Sequence, residues 1–128
     1  MEISRVEMGG DLYPGSLYFK VLQIPDFTRN AFNVAHGGAL TTYVDIATTA
    51  ATFAFDKKSR TQVSAGLDMQ FFNPGVIGRP MMIEARVTKI GKNISYSKAD
   101  LTCLETGQLI CSGTHIKAFV DKEYDLMI

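Results

Sequence analysis

Asp45 is the one formally charged residue in the run from Asn30 to Phe55, NAFNVAHGGALTTYVDIATTAATFAF. On a helix, residues three and four away share its face, and here they are Thr41, Thr42, Thr48 and Thr49, with Gly38 and Thr52 one turn further out. A solvated helix face normally carries Lys, Glu or Gln. This one carries none, which points to a dry cleft or a subunit interface, the plainer alternative being an ordinary surface stripe. Upstream stands His36-Gly37-Gly38. At a helix start the free backbone N–H groups and the positive end of the dipole converge, and two glycines let a ligand approach the backbone. Such an end suits a carbonyl oxygen that turns negative during acyl transfer, with Asp45 as the acid–base group. Loop punctuation by Gly-Gly and a structural role for His36 are the plain alternatives. Gly38 and Asp45 are separated by about 10 Å along the axis, two turns of helix. That is long for a site within one chain, so one subunit's acid can serve the helix end of a neighbour, and a two-fold dimer would hold two such sites.

The elements that must position these groups follow from the pattern. Ala and Leu favour a helix of about twenty residues, opened by Gly37-Gly38 and closed at Lys57-Lys58. Thr41, Thr48 and Asp45 make it too polar for a membrane span. Before it, residues 16–24 (SLYFKVLQI) form a strand stopped by Pro25. After it the period drops to two: Val63, Ala65, Leu67, Met69 and Phe71 alternate with Gln62, Ser64, Gly66, Asp68 and Gln70. Residues 80–90, 94–104 and 108–120 supply three more strands, joined by Gly91-Lys92-Asn93 and Glu105-Thr106-Gly107 turns. The expected order is strand, helix, then four strands in an antiparallel meander, with the helix covering the apolar face of a curved sheet. A helix apolar nearly all round and a sheet with open edges both favour a homodimer.

One hundred and twenty-eight residues, 46% hydrophobic and 20% charged, fit a single soluble domain over 1–128. Thirteen basic and thirteen acidic side chains give no net charge, which removes the footprint of nucleic-acid binding. Cys103 and Cys111 match no zinc spacing with only His36 and His115 to help, and they read as reduced, buried thiols near mutual register across the last hairpin. No secretory or transit pattern is visible, so the cytoplasm is the expected compartment, or the mitochondrion if a presequence has been removed. No Ser-His-Asp triad, nucleophile elbow or nucleotide-binding glycine pattern is present, and no metal or cofactor is implied.

Asn30, then His36-Gly37-Gly38, then Asp45 give N-x5-H-G-G-x6-D, followed by a strand ending in Phe71-Phe72-Asn73-Pro74 and a closing set of strands. This resembles the hotdog-fold acyl-CoA thioesterases of the PaaI-like branch, which includes the mammalian thioesterase superfamily members, over residues 17–119. The resemblance implies an α+β hotdog fold, one long helix wrapped by a curved antiparallel sheet of five to six strands, acting in acyl-CoA and fatty-acid metabolism as a dimer or a dimer of dimers. It implies that the Gly37 N–H polarises the thioester carbonyl, and that Asp45, from the opposite subunit, acts as general base or nucleophile. Asn30 and His36 then shape the Gly37 loop, Gly38 adjoins the substrate, and Ser64 holds the attacking water. By strand alternation alone, Ser64 is instead a surface serine on the face of Gln62 and Asp68. For the coenzyme A phosphates the basic candidates are Lys92, preferred from the resemblance, with Arg60, Lys57, Lys58 and Lys89, each otherwise a solvated charge. Phe32, Tyr43, Phe53 and Phe55 are expected in the core rather than along an acyl channel. The rival readings are a hotdog hydratase or dehydratase and a non-catalytic acyl-CoA-binding oligomer.

Overall fold

The computed structural model describes residues 1–120, so the single-domain expectation for 1–128 reaches, at 121–128, outside the described residues. Strands β1 (Glu2–Met8) and β2 (Gly15–Val21) lead through a 3-10 turn at Asp26–Thr28 into helix α1 (Gly37–Phe55). Strands β3 (Thr61–Phe71), β4 (Met81–Ile90), β5 (Ile94–Cys103) and β6 (Leu109–Val120) follow. All pair antiparallel in one six-stranded sheet of order β1-β2-β4-β5-β6-β3. The sheet curves around α1, the hotdog arrangement expected. No helix among the described residues is long and apolar enough to cross a membrane.

The core follows from period-two burial. Met81, Ile83, Ala85 and Val87 of β4 and Ala99 and Leu101 of β5 point at the helix, which answers with Leu40, Val44, Ala47 and Ala51. Small residues let the helix come close. At Gly113 an added Cβ would lie 2.8 Å from Val44 Cγ1 and 2.6 Å from Met69 Sδ, so glycine is required there. The threonines of α1 turn their hydroxyls onto their own helix: Thr41 to the Gly37 carbonyl, Thr48 to that of Val44, Thr52 to that of Thr48. Thr48 and Thr52 are therefore fully buried without an unsatisfied hydroxyl. The polar stripe foreseen on α1 divides, with Thr48 and Thr52 under the sheet and Asp45 and Thr49 at a cleft.

The meander expectation needs correction. β3 does not pair with β4; it lies at the far edge against β6, and of the four strands after the helix only β4, β5 and β6 are consecutive neighbours. The segment 72–80 carries the chain across. Its Val76 bridges Val34, and Gly75 accepts from the Ala35 N–H, so the crossing pins the loop that precedes α1. The edge strand β1, fully exposed, was not foreseen because it has no apolar face to give an alternation. In β3 the register shifts between Ser64 and Gly66, a bulge that breaks the expected single apolar face. Gln62 and Ser64 face the helix before it, Leu67, Met69 and Phe71 after it, as their partners Lys117, His115 and Cys111 show. The cysteines are not mutually in register: Cys111 lies opposite Leu101, and Cys103 opposite Met81. Both are free thiols; Cys111 is buried, which pushes it up to about 12, and Cys103 is half-buried. Phe32 and Phe53 are exposed rather than in the core.

Candidate active site

Two half-sites occupy one face of α1. The first is its N-terminus. Asn30 ties the preceding loop by accepting the N–H groups of Phe32 and Val34 on Oδ1, at 2.8 and 3.3 Å. Asn33 takes a left-handed φ of 63°, as suits a turn asparagine, and the His36 N–H returns to the Thr28 carbonyl. His36 is the N-cap, its Nδ1 accepting the Gly38 N–H at 3.1 Å. That bond requires an unprotonated Nδ1. With Gly38 capped, the Gly37 N–H has no partner among the described residues, and it stands at the positive end of a nineteen-residue helix. Thr28, Arg29, His36, Thr42 and Tyr43 line a cleft of about 490 Å³ beside it.

The second half-site is built on Asp45. Its carboxylate, half exposed, accepts from the Thr49 hydroxyl at 3.3 Å and lies 3.9 Å from Nε2 of the wholly buried His115. His115 Nε2 is 2.8 Å from Ser64 Oγ, and Nδ1 is 2.7 Å from Thr48 Oγ1. Proton bookkeeping orders this chain. Thr48 spends its proton on the Val44 carbonyl, so it accepts from His115 Nδ1–H; Nε2 is then the acceptor, and the Ser64 hydroxyl donates to it. Burial, with the Lys117 charge, pushes His115 below the ordinary histidine value against the pull of Asp45, which agrees with a neutral ring. The Ser64 oxygen keeps its lone pairs for a donor arriving in the cleft.

Ser64 and His115 thus meet although no triad motif is legible. The third member is Thr48, a hydroxyl on Nδ1, whereas Asp45 stands on the Nε2 side. That is the wrong arrangement for a carboxylate-supported serine nucleophile and a suitable one for holding water between Ser64 and Asp45. Lys117, also buried, donates to Thr49 Oγ1 at 3.0 Å. Asp45, Thr49, Phe53, Gln62, Ser64 and Lys117 line a cleft of about 730 Å³. The sequence offered Ser64 only through resemblance, and His115 and Lys117 not at all as site groups. An inward His-x-Lys on the last strand was the available signal.

Of the basic candidates, Arg60 is committed elsewhere. It pairs with Asp56, donates to the carbonyls of Lys92 and Gly91, and stacks 3.6 Å from the Phe119 ring. Lys57, Lys58, Lys89 and Lys92 border an open cleft beyond it. The described residues contain no cluster of three or more His, Cys, Asp or Glu placed to hold a metal.

The family model described as the thioesterase superfamily matches residues 32–110, which span both the helix and Ser64. The chain belongs to the thioesterase superfamily. As a member it is a thioester hydrolase; Gly37, Asp45 and Ser64 lie inside the matched region, whereas Asn30, His115 and Lys117 lie outside it. Among similar proteins, human acyl-coenzyme A thioesterase 13 is 31% identical over 96 residues, 75% of this chain and 68% of the relative. Zebrafish thioesterase superfamily member 2 superposes with a TM-score of 0.81 at 26% identity, covering 93% of this chain and 80% of that one. The E. coli PaaI protein of the phenylacetic acid degradation operon shares the fold at a TM-score of 0.75 and 16% identity, over 91% and 81% of the two chains.

Proposed function

We propose that this thioesterase hydrolyses acyl-CoA in a homodimer, each site joining the Gly37 end of one subunit to Asp45 of the other. The observation that carries the reading is that the free Gly37 N–H, beside the cleft that His36 and Thr42 line, and the Asp45–Ser64 pair, which lines another, stand apart on one helix, each half a site. The human relative named for acyl-coenzyme A supports the substrate class. The thioester oxygen accepts from Gly37 N–H at the helix dipole, and water sits between Asp45 and Ser64 Oγ. Asp45 takes one water proton as the oxygen attacks the carbonyl carbon, forming a tetrahedral oxyanion. Collapse breaks the C–S bond and the proton passes from Asp45 to the departing thiolate. One aimed donor is worth on the order of 10² to 10³ in rate, and positioned acid–base help about 10² to 10⁴. Lys57, Lys58, Lys89 and Lys92, which border a neighbouring cleft, would meet the phosphates. Dimers would pair again through the outer sheet face, where Val63, Ile94, Tyr96 and Ile116 are exposed neighbours.

Thiol release from a panel running from acetyl- and phenylacetyl- to palmitoyl-CoA tests this, with Asp45→Asn beside the wild type. Turnover that vanishes in the variant while acyl-CoA still binds is the expected result. Full turnover in the variant overturns Asp45 as the base, and a folded oligomer inert on every member would make the chain a binder.

A further inference from the structure

Lys117 is 4% exposed on the helix-facing side of β6, an unusual place for an ammonium, which is rarely buried without a partner. Its one hydrogen bond among the described residues is to Thr49 Oγ1 at 3.0 Å, and Thr49 passes its own proton to Asp45 Oδ1 at 3.3 Å. A continuous donor chain therefore runs from Lys117 through Thr49 to the carboxylate. The other groups facing Asp45 give it no charge: Gln62 and Ser64 on β3 are neutral, and His115 on β6 is held as a neutral ring. Arg60 lines the same cleft, but its guanidinium is paired with Asp56.

Asp45 is half exposed in the single subunit and would lose that water when a second subunit and an acyl-CoA close over it. Desolvation favours the protonated acid, which cannot accept a proton from water. We infer that Lys117 is a positioning residue for the hydrolysis, the buried counter-cation that keeps Asp45 ionised and aimed through Thr49 once the site is covered. Its depth supports this, because a buried cation on the sheet side of the cleft acts on Asp45 through low dielectric. Burial also pushes Lys117 below the ordinary lysine value, while Asp45 pulls it back toward charge. The inference rests on Asp45 being the base.

The test is the pH profile of kcat and KM for acyl-CoA hydrolysis by the whole protein, in the wild type, Lys117→Met, Lys117→Arg and Thr49→Val. In Lys117→Met, kcat near neutrality should fall about tenfold with KM nearly unchanged, and the acid limb of kcat should move up by about one pH unit. Lys117→Arg, which keeps the charge, should leave the acid limb in its wild-type place. Thr49→Val keeps the volume and cuts the relay; it should move the limb in the same direction by less, and it carries the test if Lys117→Met does not fold. An acid limb that stays put in Lys117→Met and Thr49→Val overturns the inference, as does a rise in KM alone or an arginine variant that behaves like methionine. An active Asp45→Asn would sink the base itself. An inactive Asp45→Asn beside an unmoved limb would sink only Lys117.

Discussion

At Gly37 an added Cβ would lie 3.5 Å from Phe71 Cζ, an ordinary contact, on backbone that needs no positive φ. Gly37→Ala should therefore fold, with helix stability unchanged or raised by up to about 1 kcal/mol. What the methyl obstructs is the approach of a carbonyl to the N–H beside it. A loss of about 10² in kcat/KM with an unchanged circular dichroism spectrum is expected, and undiminished hydrolysis would remove Gly37 from the oxyanion role. His115 makes a second statement at this scale. Its folded value lies below the ordinary 6.5, so from that value downward the unfolded chain binds a proton that the folded chain refuses. Stability from His115 is complete above 6.5 and is lost as pH falls toward the folded value; a wild-type melting curve that loses stability from pH 7 to 5 more than His115→Gln does is the check. That Gly37 and Asp45 share one helix about two turns apart was legible from spacing, because helix geometry converts sequence distance directly into space, whereas Asn30 and His36 entered as loop-shaping residues through the resemblance. The Ser64–His115 contact was not legible, since it depends on which strand lies beside β3 and on a bulge that reverses which face each residue takes.

The helix ends in a clasp. The Asp56 carboxylate, 3% exposed, accepts the backbone N–H groups of Lys58 and Arg60 and the Arg60 side chain, and Arg60 in turn holds the Gly91–Lys92 turn between β4 and β5. Burial alone would raise this carboxyl, but those hydrogen bonds and the Arg60 charge outweigh it and hold it below the usual 3.8. The sign follows: the clasp stabilises fully above about 3.8 and weakens as pH drops through the lower folded value. Asp56→Ala leaves donors unpaired and should cost about 2 kcal/mol by urea unfolding at pH 7. The wild-type excess should shrink toward pH 3, and a pH-independent difference would make the clasp mere packing. Among elements, α1 and β4, β5 and β6 were readable because each buries one face against one partner. The crossing of β3 was not, because 72–80 looks like a hairpin connection in composition and its destination is set by pairing with β6. Arg60 likewise read as a free cation, although its carboxylate partner Asp56 is only four residues back; its other partners come from a turn about thirty residues away.

In the whole molecule, β3 is an eleven-residue edge strand whose outward backbone groups have no partner in the described chain, beside a helix with Thr42, Ile46 and Phe53 exposed. A long open edge next to an exposed helix face is a liability that pairing with a second copy removes. If two helices run antiparallel about a two-fold axis near Thr41, midway between Gly37 and Asp45, each Gly37 faces the partner's Asp45. That arrangement makes a prediction no single-subunit site can imitate. In a mixture of Asp45→Asn with Gly37→Ala, each nearly inactive alone, every mixed dimer joins one intact Gly37 to one intact Asp45 and a doubly altered pair to nothing. With random exchange half the dimers are mixed and each restores one of its two sites, so activity should return to about a quarter of wild type. Sites built within one chain would give no recovery however long the subunits exchange. Recovery near a quarter, on both the assay and the exchange timescale, would tie the dimer to the chemistry, because it requires the acid and the helix end to arrive from different chains.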